Sequence, residues 1–115
     1  MPGNRKAKRR AAPKNSAIVF AALGEATRLR LVARLCEQGS MSIARLTAGA
    51  GISRQAVTKH LRVLERAGLV HSTPRGRERL WQLRQKRLGE AQNYLNLISR
   101  KLDRSLSRLK AFVEK

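Results

Sequence analysis

Aromatic residues are scarce in this chain, and the scarcity argues against two kinds of nucleic-acid-binding protein. Only four of the 115 residues are aromatic: Phe20, Trp81, Tyr94 and Phe112. Proteins that bind single strands, and RNA-binding sheets, stack bases on clustered aromatic side chains. Four separated positions form no such cluster, so both modes of binding are disfavoured.

Residues for catalysis are also few. The seven acidic residues are scattered, and no two of them are spaced as a general acid–base pair. His60 and His71 have no serine, cysteine or carboxylate arranged around them as in a nucleophilic triad. The glycines at 49 and 51 are not followed by the Lys-Ser/Thr of a phosphate-binding loop. We therefore expect a protein that is not an enzyme and that needs no cofactor.

Cysteine occurs once, at position 36. A single cysteine excludes an internal disulfide bond and is typical of a cytoplasmic protein. Cys36, His60 and His71 are too few and too dispersed for a recognisable metal site. We interpret Cys36 as a small hydrophobic residue on an apolar helix face, and His60 as a half-buried residue that packs or contacts phosphate.

Long apolar runs are absent as well, since no segment reaches the roughly 20 apolar residues of a transmembrane helix. The N-terminus is charged, but no long apolar segment follows it, so it lacks the pattern of a signal peptide. We expect no segment that inserts into a membrane.

Basic residues, in contrast, are abundant. The chain has 26 Lys and Arg against 7 Asp and Glu, a formal net charge of +19. An excess this large predicts a polyanionic partner, which is DNA, RNA or an anionic membrane surface. Residues 1–15 have no periodicity and predict a disordered basic arm ahead of a domain over 16–113. The arm either keeps the protein soluble or follows the DNA backbone or a minor groove.

Apolar spacing predicts two helices near the start of this domain. We expect Ser16 to cap a short helix over 17–23, which is apolar on more than one side and must be buried in a core or against another chain. A second helix over Ala26–Gln38 ends at Gly39. The side of this helix that we expect to face inward carries Leu29, Val32, Ala33 and Cys36, and Leu31 and Leu35 widen it.

A short third helix over 43–48 and a basic helix over 53–67 are separated by a tight turn at residues 49–52. We expect Gly51 to supply the positive φ of this turn and Ser53 to cap the basic helix. Two helices joined in this way, with the second one basic, predict a helix-turn-helix.

The basic helix divides into two faces. Val57, Leu61 and Leu64 form one apolar stripe that is expected to face the core. The other face has residue types that reach phosphates and base edges, although a merely solvated basic helix is the alternative. This polar face carries Arg54, Gln55, Thr58, Lys59, Arg62 and Arg66.

A β-hairpin is predicted directly after this helix. Residues 69–73 and 79–83 have the composition of two short strands, with a turn over 74–77 between them. A helix-turn-helix followed by a basic-tipped hairpin predicts a winged helix. Arg75 and Arg77 at the tip either contact phosphate or a minor groove, or are ordinary exposed arginines.

The last segment, over 86–113, predicts one long helix with an apolar stripe that steps by three and four residues. Ser105 is the one polar position in it. A stripe of some seven turns exceeds what a small domain can cover, which implies a partner helix in a second chain. Packing of the whole stripe within one chain is the alternative. The stripe consists of Leu88, Ala91, Leu95, Ile98, Leu102, Leu109 and Phe112.

Three segments together resemble the ArsR family of winged-helix repressors. LGEATRLRLVARL at 23–35 resembles the entry to the family's second helix, with Ala26 in place of the usual proline. GISRQAVTKHLRVLERAGLV at 51–70 resembles the recognition segment, with Arg54 in place of Gln and Thr58 in place of Ser. RGRERLWQL at 75–83 resembles the wing.

The resemblance implies a mostly α fold with a small β-hairpin, in a homodimeric repressor that pairs through its first and last helices. The helix over 53–67 would enter the major groove of DNA, and the wing over 70–83 would contact the backbone or minor groove. The residues that match DNA-contacting positions are Ser53, Gln55, Thr58, Lys59, Arg75 and Arg77, to which Arg54 and Arg62 are added from charge and position. The expected dimer interface contains Phe20, Leu23, Leu95, Ile98, Leu102 and Leu109.

Two departures from the family concern metal. Its metal sensors carry Cys-x-Cys at the start of the third helix, where this chain has Ser42 and Ala44. Others use histidine and acidic residues in the last helix, but no histidine follows His71. The tail over 98–115 resembles a subgroup without a metal site, so we expect no metal.

The expected function is therefore a sequence-specific, dimeric DNA-binding regulator, located in the cytoplasm on the nucleoid. Its partners would be double-stranded DNA and a second copy of the chain, with no membrane partner. The alternative is an architectural, chromatin-type protein that coats DNA with little sequence preference, which the charge and the basic arm favour.

Overall fold

The computed structural model describes residues 14–114, which form five helices and one three-stranded antiparallel sheet. None of the described helices is long and apolar enough to cross a membrane. The elements in chain order are α1 (14–23), α2 (Ala26–Gln38), β1 (Met41–Ser42), α3 (Ile43–Thr47), α4 (Arg54–Arg66), β2 (Val70–Arg75), β3 (Glu78–Leu83) and α5 (Gln85–Val113).

Helix α1 is longer than the sequence predicted. Residues 14 and 15, which we assigned to the basic arm, are already helical, and the rest of that arm lies outside the described residues. The prediction that Ser16 caps this helix is wrong, because Ser16 lies within it and is buried. Ser16 precedes Val19 by three residues, so both side chains lie on the inward face.

Helix α2 has the predicted bounds, but only part of its predicted inward side is buried. Leu31, Val32 and Leu35 are buried, whereas Leu29 is 53% exposed. Ala33 and Cys36, also predicted to face inward, are exposed too, so Cys36 is not a core residue. The sequence offers two adjacent apolar sides, and contacts of α2 with α4 and β3 select the one through Leu31 and Leu35.

The helix-turn-helix forms as predicted, with both of its helices capped by serine. The Ser42 Oγ accepts a hydrogen bond from the Arg45 N–H, and the Ser53 Oγ accepts one from the Ala56 N–H at 3.1 Å. Gly51 adopts a φ of 72° in the turn between them, which a side chain would strain. The apolar stripe of α4, Val57, Leu61 and Leu64, is fully buried.

The sheet contains one strand more than the predicted hairpin. Strand β1 pairs with β3, placing Met41 opposite Trp81, so the strand order is β1-β3-β2. Two residues are too short a run to show strand periodicity, and their partner lies far along the chain. The extra strand forms the second edge of the sheet and leads directly into α3.

The hairpin turn is tighter than the predicted span of 74–77. Arg75 pairs with Glu78, which leaves Gly76 and Arg77 as a two-residue loop. Such loops need a positive φ, which Gly76 supplies at 62°. Pro74 is accommodated because β2 is an edge strand of the sheet.

Helix α5 contacts the domain only through its first turns. Ala91 is buried and Leu88 half-buried, but every residue from 95 to 113 is exposed. The alternative that the whole stripe packs within one chain is therefore wrong. The projecting part of the stripe has no apolar partner among the described residues.

Candidate nucleic-acid interface

Helix α4 presents a polar surface that is held in place by its buried stripe. Ser53, Arg54, Gln55 and Lys59 are exposed, as predicted. Thr58 is half-buried, and its hydroxyl donates a hydrogen bond to the Arg54 carbonyl at 2.9 Å. The Thr58 hydroxyl is thereby engaged within the helix.

Arg62 is held between two neighbours. Its Nη1 donates to Glu65 Oε1 at 3.0 Å, and its guanidinium carbon lies 5.8 Å from the centre of the Trp81 ring. A cation at this distance from an indole face is attracted by the ring. Arg62 therefore leans from α4 towards β3, and half of its side chain stays exposed.

A cleft of about 420 Å³ lies between the start of α3, helix α4 and the hairpin. It gathers arginines from different elements, since Arg54 and Arg62 come from α4 while Arg77 comes from the hairpin tip. Arg75 is exposed but does not line this cleft. Of the five cations predicted to contact DNA, the cleft therefore brings together three, and neither Lys59 nor Arg75 lines it.

Arg79 is a cleft residue that the sequence interpretation missed. It lines the cleft from β3, and its Nε donates to the Ser72 Oγ at 3.0 Å across the hairpin. No local sequence signal singles it out, because its place in the cleft follows from the register of the hairpin, in which Arg79 pairs with Pro74.

The cleft is electropositive. Only two ion pairs occur in the part of the chain that the structure describes, His60–Glu25 and Arg62–Glu65. Arg54, Arg77 and Arg79 have no acidic partner in either pair, although Glu78 also lines the cleft. Four arginines against one glutamate leave the cleft with a net positive charge, and a concave surface with such an excess concentrates its field, here for an anionic ligand.

His60 is half-buried and turned away from the exposed face of α4. Its Nδ1 lies 3.5 Å from Glu25 Oε2 and 3.4 Å from Arg28 Nη1. The structure therefore places this histidine in a packing position against the start of α2, one of the two roles predicted for it.

Metal-ligand types are not grouped in the described residues. Between residues 14 and 114 no set of three or more His, Cys, Asp or Glu side chains is placed to hold a metal ion. Ser42, one of the two positions that replace cysteines of metal sensors, caps α3 and pairs in β1.

The predicted dimer residues divide into two groups. Phe20 and Leu23 in α1 are half-buried and pack against the edge of the core. The α5 residues are exposed: Leu95 by 51%, Ile98 by 42%, Leu102 by 57% and Leu109 by 60%. A contiguous exposed apolar surface of this kind marks an interaction site.

The helix-turn-helix matches known regulators in sequence. Residues 23–73 match the family model described as "Helix-turn-helix domain". The chain is 39% identical over 72 residues to the uncharacterized HTH-type transcriptional regulator YuzN of Bacillus subtilis, a match that covers 57% of this chain and 78% of YuzN.

Solved structures share the whole architecture. An ArsR-like transcriptional regulator from Rhodococcus sp. RHA1 is 32% identical with a TM-score of 0.75, over 89% of this chain and 95% of that one. A domain from Mycobacterium bovis, described as a homodimeric winged helix-turn-helix DNA-binding domain, has the same fold. Its TM-score is 0.61 at 20% identity, over 82% of this chain and 83% of that one.

These comparisons confirm the winged-helix prediction and the prediction that the chain is not an enzyme, because the matched proteins are transcriptional regulators. They agree with the geometry of the site, in which a capped basic helix and a basic hairpin tip share one electropositive cleft. The chain belongs to the ArsR-like winged helix-turn-helix family and is a DNA-binding transcriptional regulator.

Proposed function

We propose that this regulator is a homodimeric, sequence-specific repressor of the kind that carries no metal site, acting on nucleoid DNA in the cytoplasm. The observation that carries the proposal is the cleft between α4 and the hairpin, where Arg54, Arg62 and Arg77 converge beside the exposed polar face of α4. We call α4 the recognition helix and the β2–β3 hairpin the wing.

The first half of the recognition helix supplies the contacts that distinguish bases. Gln55 is exposed, and a glutamine side chain can pair with both edge groups of adenine in the major groove. Thr58 also carries a methyl group, which suits the methyl group of thymine. Ser53 and Arg54 stand at the N-terminus of the helix, where free N–H groups and a cation favour phosphate.

Lys59, Arg62 and the wing supply the contacts that fix the protein on the duplex. Arg75 and Arg77 are exposed at the wing tip, and Arg79 extends the basic surface along β3. Contacts of this kind go to phosphate and carry little sequence information. They account for the affinity and its salt dependence, while Gln55 and Thr58 account for the choice of sequence.

Dimerisation follows from the exposed stripe of α5 and from α1. The similar domain from Mycobacterium bovis is described as homodimeric. In this chain Leu95, Ile98, Leu102 and Leu109 need an apolar partner, and the same stripe of a second copy supplies one. Phe20 and Leu23 extend this surface from the edge of the core.

The absence of a metal requirement is proposed from the chemistry at two positions. Ser42 and Ala44 stand where metal sensors of the family carry thiolates, and Ser42 is engaged in capping α3. Titration with a divalent metal such as Zn²⁺ tests this point, because DNA affinity should not change as the metal is added.

Selection of bound sequences from a random DNA pool, followed by footprinting, tests the proposal as a whole. We expect a palindrome whose half-sites lie about one helical turn apart, since a two-fold dimer places its recognition helices at that spacing. Uniform protection without a recovered motif would instead support the architectural alternative, which the net charge of +19 favours.

A further inference from the structure

The projecting part of α5 carries three arginines that lie outside the proposed DNA-binding surface. Arg100, Arg104 and Arg108 are exposed and follow one another at intervals of four residues, so they form a row along one side of the helix. We call these three residues the arginine row. Arg104 follows Leu102 by two residues, which places the row roughly opposite the apolar stripe.

Among residues 14–114, no acidic side chain forms an ion pair with this row. The two ion pairs among residues 14–114 both involve α4, and Asp103, the nearest acid in the helix, forms neither of them. The one side-chain partner is the Ser105 hydroxyl, which accepts a hydrogen bond from Arg108 Nη2 at 3.4 Å. Like charges four residues apart destabilise a helix, and an external polyanion bound along the row would relieve that repulsion.

The arginine row stays accessible in the dimer. This conclusion rests on the proposed function, in which α5 pairs with a second copy of the chain. The second copy covers the stripe through Leu95, Leu102 and Leu109, whereas the arginine row faces the other way. Residues 95–113 are exposed throughout and span about 28 Å, so the row stands clear of the wing and core that precede it.

We propose that the arginine row binds the phosphate backbone of a second DNA duplex, so that a dimer held on one duplex by its recognition helices bridges to another. The row spans about 12 Å, along which a duplex presents roughly seven phosphate charges. DNA is the polyanion that the recognition helices already bring near. A helix lying on a membrane would bury its apolar side instead, and in the dimer that side is covered.

Bridging is measured by co-capture of two duplexes. A biotinylated duplex that carries the selected sequence is fixed to beads, and a fluorescent duplex of unrelated sequence is added with the full chain. The test variant is R100Q/R104Q/R108Q, and the matched control is R100K/R104K/R108K, which keeps the charge. Glutamine, lysine and arginine have similar helix propensities, so circular dichroism and light scattering should find both variants helical and dimeric.

We expect the wild type and the lysine control to retain the fluorescent duplex. The glutamine variant should retain at least about tenfold less of it. The slope of log co-capture against log salt should also fall by about 2.7 per chain, because three phosphate contacts are lost. Its affinity for the first duplex alone, measured by anisotropy, should stay within about twofold of the wild type, since the row is not part of that surface.

Three results would overturn the inference. One is co-capture by the glutamine variant at the wild-type level. Another is an equal loss of affinity for the first duplex, which would place the row in the primary interface. The third is row-dependent capture of an RNA duplex or of anionic vesicles but not of DNA. If selection from the random pool recovers no preferred sequence, the proposed sequence specificity is wrong, but the inference about the arginine row is not affected. Co-capture of two duplexes of unrelated sequence then tests the row.

Discussion

The carboxylate of Glu25 lies 3.5 Å from the imidazole Nδ1 of His60 and thereby joins the start of α2 to the recognition helix. The same carboxylate caps α2, accepting hydrogen bonds from the N–H groups of Thr27 at 2.9 Å and Arg28 at 3.1 Å. Arg28 also reaches back to the Ala22 carbonyl in α1. The recognition helix is therefore fixed against the junction of α1 and α2, close to the proposed dimer surface.

Glu25 should make the stability of the protein depend on pH. The N–H of Thr27, above all, lowers the pKa of Glu25 from its ordinary value of 4.5, with the N–H of Arg28 and the His60 charge acting in the same direction against partial desolvation. A carboxyl group whose pKa falls on folding stabilises the folded state above its ordinary pKa. That contribution disappears as the pH drops through the lowered value.

The substitution Glu25→Gln tests this dependence by thermal unfolding between pH 3 and pH 7. We expect the variant to unfold at a lower temperature than the wild type at pH 7, and the difference to shrink as the pH falls through the lowered pKa of Glu25, where the wild-type carboxyl becomes protonated. Glu37→Gln is the control, since Glu37 is an exposed acid in the same helix that caps nothing. A difference that stayed constant across the pH range would contradict the role given to the charge.

Gln55 and Thr58 should determine sequence preference. Gln55→Ala and Thr58→Ala should each weaken binding at the selected sequence by about 1–3 kcal/mol and leave binding to unrelated DNA nearly unchanged. Competition between the two duplexes in an anisotropy titration measures this ratio. If Gln55→Ala left the ratio at its wild-type value, the assignment of the recognition helix would be wrong.

Thr58 allows a finer test, because its hydroxyl donates to the Arg54 carbonyl within the helix. If the methyl group makes the base contact, Thr58→Val should keep most of the sequence preference and Thr58→Ser should lose it. The reverse order would show that the hydroxyl turns from the helix to the DNA on binding.

Arg77 should contribute to affinity without contributing to specificity. It lies at the tip of the two-residue wing loop, where it can reach phosphate. Arg77→Ala should weaken binding to all duplexes alike and reduce the slope of log K against log salt by about 0.9 per chain. Arg30→Ala is a control of equal charge change on α2, outside the cleft, and should leave the slope nearly unchanged.

Local signals explain which elements the sequence predicts correctly. The inward stripe of α4 depends on helical periodicity, and the serine cap and the turn at Gly51 depend on neighbouring residues alone. The long apolar stripe of α5 can likewise be predicted, because the spacing of its apolar residues by three and four does not depend on which surface packs against them. The basic face of the candidate site follows directly, since side chains that cannot be buried must lie opposite a buried stripe.

The features that the sequence does not predict depend on contacts between distant segments. Strand β1 exists because Met41 pairs with Trp81, and the inward side of α2 is selected by elements that follow it. Glu25 caps α2 through local contacts, but it meets His60 only when the helices are assembled. Arg79 enters the cleft because the register of the hairpin puts it there.

The exposed stripe of α5 gives the last prediction. Leu102 lies in the middle of it and is 57% exposed, so Leu102→Asp places a charge in the proposed interface without disturbing the core of the single chain. We expect light scattering to show monomers at concentrations where the wild type is dimeric. DNA affinity should then fall steeply, because two linked recognition helices bind far more tightly than one. Ser107→Asp, on the exposed outer side of the same helix, should stay dimeric. A dimer that survived Leu102→Asp would require the two chains to pair through another surface.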